Sequence, residues 1–152
     1  MRKNNLNYRE EVKSGQYIEN SRFNIKNNNL DIMVLKSNLY KNVTGKYDYI
    51  IFNPPYVPNI QRKNAGLKYM KARFSGRDGI YLIRKFLSKS RKHLNRNGKI
   101  LLGVNCFYIG FNNIKDIIKG YNIKIEDIVS KMFNTSRVFI LRNSGGKSEF
   151  LY

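Results

Sequence analysis

The sequence has little of several features that would fix its class, and each shortage excludes a kind of protein. A single cysteine, Cys106, excludes an internal disulfide framework and a zinc site built from cysteines. No run of about 18 apolar residues occurs, so no membrane-spanning helix is predicted. The amino-terminal residues are polar and charged and do not form the apolar stretch of a signal peptide. We therefore expect a cytoplasmic protein with no membrane association.

Acidic residues are also scarce, and the resulting charge is the strongest feature of the composition. The 152 residues include 29 Lys and Arg but only 10 Asp and Glu, which gives a net charge of +19. A field of this sign attracts nucleic acid or a ribonucleoprotein. The basic residues are scattered, however, and Lys, Asn, Ile and Tyr are enriched together, as a coding bias toward AT-rich codons would produce. The charge is compatible with a nucleic-acid partner but does not identify one.

The length and the apolar content predict a single domain of the α/β class, with flexible ends at residues 1–9 and 143–152. Hydrophobic periodicity predicts helices and strands that largely alternate, followed by a final strand pair that forms a hairpin at a sheet edge. The predicted helices cover residues 10–25, 79–94 and 111–119. The predicted strands cover residues 30–35, 47–52, 99–104, 121–130 and 135–142.

The most informative segment begins where the buried parallel strand predicted over residues 47–52 ends. It reads Asn53-Pro54-Pro55-Tyr56 and continues as Val57-Pro58. Ligands of open α/β sheets bind beyond the carboxyl ends of the strands, which is where Asn53 lies. The Asn53 side chain can both accept and donate hydrogen bonds. The two prolines fix the backbone and leave carbonyl oxygens as acceptors, and Tyr56 supplies a flat aromatic face.

This combination suits a planar group that carries an NH2, such as a carboxamide or the amine of a nucleobase. Asn53 and the Pro54 carbonyl would accept the two hydrogens while Tyr56 stacks on the plane, so that the nitrogen lone pair faces an electrophile. The simpler alternative is a Pro-Pro turn in which Asn53 caps its own backbone. The apolar strand before the motif and Val57-Pro58 after it favour the binding site over the turn.

On these residues the chain resembles the HemK/PrmC-type protein glutamine methyltransferases, which are class I S-adenosylmethionine-dependent enzymes. The resemblance covers about residues 17–142. Besides the motif, it includes residues 20–24, 30–40, 74–79 and 94–102. The Asn-Pro-Pro-Tyr element is specific to methylation of amino groups, but DNA and RNA amine methyltransferases share it.

The resemblance implies a fold, a cofactor and a partner. The fold would be a partial class I methyltransferase sheet, Rossmann-like, with a carboxyl-terminal antiparallel hairpin. S-adenosylmethionine would be the cofactor, and a translation release factor, free or on the ribosome, would be the protein substrate. The implied cofactor-binding residues are Asn38, Leu39 and Asn53. The implied substrate-binding residues are Asn53, Pro54, Pro55 and Tyr56, of which Asn53, Pro54 and Tyr56 are the catalytic ones.

The chain departs from the family pattern near its start. Gly15 is the only glycine before residue 30, so the family's glycine-rich cofactor loop has no counterpart. No strand is predicted before Glu10 or Glu11, so neither is assigned as the acidic residue that binds the cofactor's ribose in the family. Asn38 stands where the family usually has Asp. We expect the first two strands to be missing and the chain to be a truncated or split enzyme, inactive alone unless a partner chain supplies them.

Two other functions stay open. Methylation of RNA or DNA amines is favoured by the charge and by the basic residues after the motif, which are Arg62, Lys63, Lys68, Lys71, Arg73 and Arg77. A degenerate fragment that only binds a partner would also carry the motif. Gly145-Gly146-Lys147-Ser148 is not a phosphate-binding loop, because Leu141 occupies the position of its first glycine. His93 is predicted to be a cation at a helix end, and Cys106 a packed thiol.

Overall fold

The chain is divided into two structural units at Gly45. The computed structural model describes residues 8–12, 15–55, 78–131 and 134–143. Residue contacts separate Met1–Gly45 from Lys46–Tyr152, and each unit is considered by itself. Across these ranges, no helix combines the length and the apolar character needed to cross a membrane.

The first unit is a parallel pair of strands joined by a helix. Its elements are β1 (Tyr8–Val12), α1 (Gly15–Asn27) and β2 (Ile32–Lys36). Tyr8 lies opposite Ile32 and the pairing continues along both strands. Parallel strands need a crossover connection, and α1 supplies it. After α1 the chain turns at Asn29, whose φ of 50° lies in the left-handed region that asparagine tolerates.

Strand β1 corrects the prediction for the start of the chain. Residues 8–12 form a strand, not the end of a flexible segment and the beginning of a helix, and α1 starts only at Gly15. The inference that no strand is present at Glu10 and Glu11 was wrong, because both lie within β1, at the register positions of Val34 and Leu35. The centre of β1 is charged, so it has no apolar alternation to detect. Its conformation depends on main-chain pairing with β2.

The second unit is built on a four-stranded mixed sheet. Its strands are β3 (Tyr47–Phe52), β4 (Leu94–Asn105), β5 (Ile123–Ser130) and β6 (Ser136–Asn143), and their order is β3-β4-β6-β5. β3 and β4 are parallel, with Phe52 opposite Leu102. β6 is antiparallel to both β4 and β5. The terminal hairpin therefore lies at one edge of the sheet, as the sequence predicts.

Described helices form the core of this unit against one face of the sheet, and the two longest of them are amphipathic. The helices are α2 (Tyr81–Ser90, continued by a 3-10 turn at Arg91–His93), α3 (Cys106–Ile109) and α4 (Phe111–Lys119). Helix α2 buries Ile83, Phe86 and Leu87, and α4 buries Ile114, Ile117 and Ile118. The buried apolar residues of the sheet are Leu94, Ile100, Leu102, Val104, Ile123, Phe139 and Leu141. Each such side chain stabilises the fold by about 1.5–3 kcal/mol relative to an exposed position.

The opposite face of the sheet is apolar and exposed. Tyr49, Ile51 and Val129 lie on exposed surface, and Ile51 is 70% exposed. Among the described strands, β3 pairs only with β4 and so forms a sheet edge. The prediction of a parallel strand over residues 47–52 is thus confirmed, but burial of the whole strand was wrong. Its inward residues, Ile50 and Phe52, are half-buried, because the described helices of this unit cover one face of the sheet only.

The junction between α2 and β4 also differs from the prediction. Helix α2 ends at Ser90, before the predicted helix end at residue 94, and β4 begins at Leu94, before the predicted strand start at residue 99. Residues 95–98 make an irregularity in the pairing of β4 with β3, because Tyr47 lies opposite Leu94 whereas Tyr49 lies opposite Lys99. The turn-forming residues therefore bulge within one continuous strand.

Candidate functional site

The described part of the motif lies at the carboxyl end of β3. Asn53 is exposed, the Pro54 side chain is fully buried and Pro55 is half-buried. A buried proline fixes the backbone at this point, and the side chain before it is directed to the surface. The predicted catalytic residue Tyr56 lies outside the described residues, as do Val57-Pro58 and the six basic residues that follow.

An aromatic stack holds this end of β3 against helix α2. The rings of Phe52 and Phe86 lie with their centroids 4.1 Å apart and their planes 17° apart. Phe86 is only 3% exposed, so the contact belongs to the core of the unit. Because Phe52 immediately precedes Asn53, the position of the motif depends on the packing of α2. The start of α2 is shaped in turn by Asp78, whose Oδ1 accepts a hydrogen bond from the Ile80 backbone N–H at 3.1 Å.

Strand β4 leaves space for the Asn53 side chain at Gly103. Gly103 follows Leu102, the partner of Phe52, and therefore lies beside Asn53. A Cβ atom on Gly103 would lie 3.2 Å from Asn53 Oδ1. Gly103 was not predicted from the sequence to be part of the site. The available signal was a glycine inside an apolar strand, which often marks a close approach of other atoms.

Residues that follow β4 lie at the same edge of the sheet, because β3 and β4 are parallel. The Asn105 side chain accepts a hydrogen bond from the Phe107 backbone N–H at 3.0 Å and so caps the short helix α3. Phe107 is 74% exposed, and its ring meets Tyr108 edge to face at 5.2 Å. An exposed aromatic ring at this edge offers a flat apolar surface to a ligand. Phe107 was not predicted from the sequence to be part of the site.

Cys106 has the properties of a packed thiol. It is half-buried, and its backbone N–H donates to the Thr135 carbonyl at 2.9 Å. Burial raises the pKa of the Cys106 thiol, and the nearby Arg137 guanidinium only partly opposes this effect. A protonated thiol is a weak nucleophile, so covalent catalysis by Cys106 is not supported. In the described ranges no three His, Cys, Asp or Glu side chains are grouped in a way that could hold a metal ion.

The predicted cofactor residues of the first unit follow β2. The Ser37 hydroxyl donates to the Leu39 carbonyl at 2.7 Å and accepts from the Asn42 backbone N–H at 3.0 Å. Leu39 is buried with φ at 55°, a backbone conformation that is rare for a leucine. Asn38 is exposed at this turn, where its side-chain oxygen can accept a hydrogen bond. This donor–acceptor chemistry fits the amine of an adenine ring.

The known proteins to which this chain is similar are methyltransferases. Residues 8–73 match the family model described as "Methyltransferase small domain". The chain is 36% identical over 78 residues to a Methanocaldococcus jannaschii protein whose name describes a protein N5-glutamine methyltransferase, covering 51% of this chain and 39% of that protein. It is 31% identical over 96 residues to the release factor glutamine methyltransferase of Streptococcus pneumoniae, covering 60% and 34%. The chain thus matches less than half of the length of these relatives.

Solved structures give the same fold. The crystal structure of a methyltransferase from Pyrococcus furiosus matches with a TM-score of 0.68 and 24% identity, over 91% of this chain and 63% of that chain. A ribosomal protein L11 methylase from Lactobacillus delbrueckii matches with a TM-score of 0.65 and 15% identity, over 91% and 58%. The prediction of a partial class I methyltransferase fold is therefore confirmed.

Proposed function

We propose that this chain, which is similar to protein glutamine methyltransferases, uses S-adenosylmethionine to methylate a planar amide nitrogen held by the Asn53-Pro54-Pro55-Tyr56 loop. The acceptor is a glutamine side chain of a protein of the release-factor type. The names of the relatives support this substrate class, and Val57-Pro58 after the motif agrees with it.

One observation carries the proposal: Asn53 is exposed at the carboxyl end of β3 while Pro54 beside it is fully buried. The carboxamide of Asn53 is therefore accessible to a ligand, but the backbone that bears it is anchored. A rigid main chain with an accessible polar side chain is the arrangement that precise positioning of a substrate requires. A simple surface turn would not need the burial of Pro54.

The chemistry follows from the acceptors that this loop offers. A glutamine amide nitrogen is a poor nucleophile, so its placement and electrostatic stabilisation must supply the rate enhancement. Asn53 Oδ1 and the Pro54 carbonyl accept the two N–H hydrogens and stabilise the positive charge that develops on the nitrogen. The Tyr56 ring packs on the amide plane. When bound, S-adenosylmethionine would supply the electrophilic methyl group: the N–C bond forms as the S–C bond breaks, S-adenosylhomocysteine is left, and the nitrogen releases one proton to water.

Residues of the first unit are assigned to the cofactor. The exposed Asn38 side chain at the end of β2 would accept from the adenine amine, and Leu39 would pack nearby. The backbone of β1 puts Glu10 and Glu11 on a strand parallel to β2, which makes them candidates for the acidic residue that binds the ribose hydroxyls. These assignments, like the role of Asn53 in cofactor binding, are part of the proposal.

A second candidate function is methylation of an RNA amine, and the charge of helix α2 favours it. The segment Tyr81–His93 carries five Lys and Arg residues and no acidic residue: Arg84, Lys85, Lys89, Arg91 and Lys92. Lys89, Arg91 and Lys92 lie at the carboxyl end of the helix, where positive charge suits the helix dipole. Arg84 and Lys85 lie nearer its start, and helix stability does not explain them. Contacts with phosphates would explain them.

A methyl-transfer assay separates these functions. The chain is incubated with radiolabelled S-adenosylmethionine and either a release factor or total RNA, and cofactor binding is measured by calorimetry in parallel. A chain that is active on its own would place label in the release factor, on glutamine, and would lose about 100-fold or more of this transfer in the N53A variant. N112A, which removes an exposed asparagine on α4, is the matched control and should keep the activity. Label in RNA alone would favour the second candidate.

Absence of both transfer and cofactor binding would contradict an enzymatic role for this chain and favour a binding module. Calorimetry is needed for this distinction, because a chain that binds the cofactor without methylating either acceptor has a different substrate. Micromolar cofactor affinity would also contradict the expectation of an inactive fragment. The two measurements together therefore show whether a lack of methyl transfer comes from the wrong acceptor or from a lack of cofactor binding.

A further inference from the structure

We infer that Gly103 is a positioning residue of this site, because its missing side chain provides the space in which the Asn53 carboxamide lies against β4. The inference rests on the proposed function, since the placement of the carboxamide matters for catalysis only if Asn53 holds the acceptor nitrogen. Gly103 would not touch the substrate. It would act by setting where the Asn53 side-chain oxygen lies.

The backbone at position 103 does not require glycine. Gly103 lies in the middle of β4, directly opposite Val138 of β6, and it is not among the residues with positive φ. Gly79 and Gly110, by contrast, have φ of 77° and 84°, which other residues avoid. A glycine inside a strand weakens the strand, because it adds backbone entropy to the unfolded chain and contributes no side chain to packing. Its presence therefore needs another explanation.

The space around Gly103 supplies that explanation. The three described atoms nearest to a Cβ built at this position all belong to Asn53: Oδ1 at 3.2 Å, Cγ at 3.6 Å and Cβ at 3.7 Å. A Cβ at Gly98, in the same strand, would instead meet the Tyr47 carbonyl oxygen at 2.8 Å and Leu94 Cδ1 at 2.9 Å. Gly98 is therefore a packing glycine, whereas Gly103 accommodates one exposed side chain.

This difference predicts opposite effects of the same substitution at the two glycines. An alanine at 103 would force Asn53 Oδ1 to move by a few tenths of an ångström, and the exposed carboxamide is free to do so. Active-site groups must be held to within about 0.5 Å, so this displacement reduces methyl transfer. The sheet itself gains a better strand residue and keeps its fold. Substitution of a residue with a purely structural role would instead lower the stability and the activity of the chain together.

The experiment compares G103A and G103V with G98A in the full 152-residue chain. Thermal unfolding measures stability, and the side-chain NH2 resonances of Asn53, assigned by their loss in N53A, report the position of the carboxamide. We expect G103A to unfold at the same temperature or about 1–4 °C higher, with shifted Asn53 resonances. The kcat for transfer to the glutamine acceptor should fall about tenfold in G103A, and further in G103V. G98A should lose stability.

A double-mutant cycle tests whether Gly103 acts through Asn53. In the N53A background, G103A should cause no further loss of transfer, because the group that it displaces is absent. Unchanged Asn53 resonances with wild-type transfer in G103A, or a loss of stability like that of G98A, would overturn the inference. If the unmodified chain transfers no methyl group while the Asn53 resonances shift in G103A, the proposed function fails but Gly103 still sets the position of the carboxamide.

Discussion

Replacement of Phe86 by alanine is expected to destabilise the second unit strongly and to loosen the candidate site. Phe86 is almost completely buried on α2, and its ring stacks on Phe52 at 4.1 Å. Phe52 is the last residue of β3, and Asn53 follows it directly. The substitution therefore removes both a core side chain and the contact that holds the end of β3 to the helix.

The expected loss of stability can be worked out from this packing. Truncation of a buried phenylalanine to alanine costs about 3–5 kcal/mol, which includes the cavity that remains. The stacking geometry accounts for about 0.5–1.5 kcal/mol of this loss. Because domains are stable by only about 5–15 kcal/mol, F86A would remove a large share of the total. For a chain of this size the melting temperature would fall by about 6–20 °C.

Urea unfolding followed by circular dichroism measures this effect, with two controls. F86L keeps an apolar side chain but loses the stack, and should cost about 1–2 kcal/mol. F107A removes a ring that is 74% exposed and should cost less than about 0.5 kcal/mol. If F86A and F107A were equally stable, Phe86 would not be a core residue, and the position of β3 against α2 would be wrong.

Two further predictions concern stability. G98A should destabilise the chain by about 1–3 kcal/mol in the same urea assay, because the added Cβ would meet the Tyr47 carbonyl oxygen at 2.8 Å; an unchanged midpoint would show that the bulge in β4 adapts freely. A hydrogen bond from Lys99, at 3.0 Å, lowers the pKa of Glu126 below its ordinary value of 4.5. Because the pKa of Glu126 is lower in the folded state, the Lys99–Glu126 pair stabilises the folded chain. This stabilisation is fully present above the unfolded-state pKa and is lost as the pH falls through the folded-state pKa. Thermal unfolding from about pH 6 to pH 3 should thus show a steeper loss of stability in the wild type than in E126Q, and parallel curves would exclude the contribution.

Much of the second unit could be predicted from the sequence, because its elements have strong apolar periodicity. Strand β3, helix α4 and the terminal hairpin were found where predicted, with boundaries within about two residues. Strand β1 was not predictable in this way. Its charged centre has the composition of a loop, and only pairing with β2 makes it a strand. The extension of β4 across residues 95–98 was missed for a similar reason, since pairing with β3 outweighs the turn-forming residues.

In the candidate site, too, some residues could be predicted from the sequence and others could not. Asn53 and Pro54 could be identified because the motif is continuous in sequence and follows a clear strand. Gly103 and Phe86 could not, because their contacts with β3 depend on strand register and helix packing between segments far apart in the chain. Short motifs reveal the residues that contact a ligand. The residues that hold them in place become visible only in three dimensions.

The most direct measurement of the central claim is a crystal structure of this chain with S-adenosylhomocysteine and a blocked glutamine. We predict that the glutamine amide nitrogen lies about 2.7–3.2 Å from both Asn53 Oδ1 and the Pro54 carbonyl oxygen, with the Tyr56 ring against the amide plane. An amide bound elsewhere, or a loop in which these three groups face apart, would contradict the account.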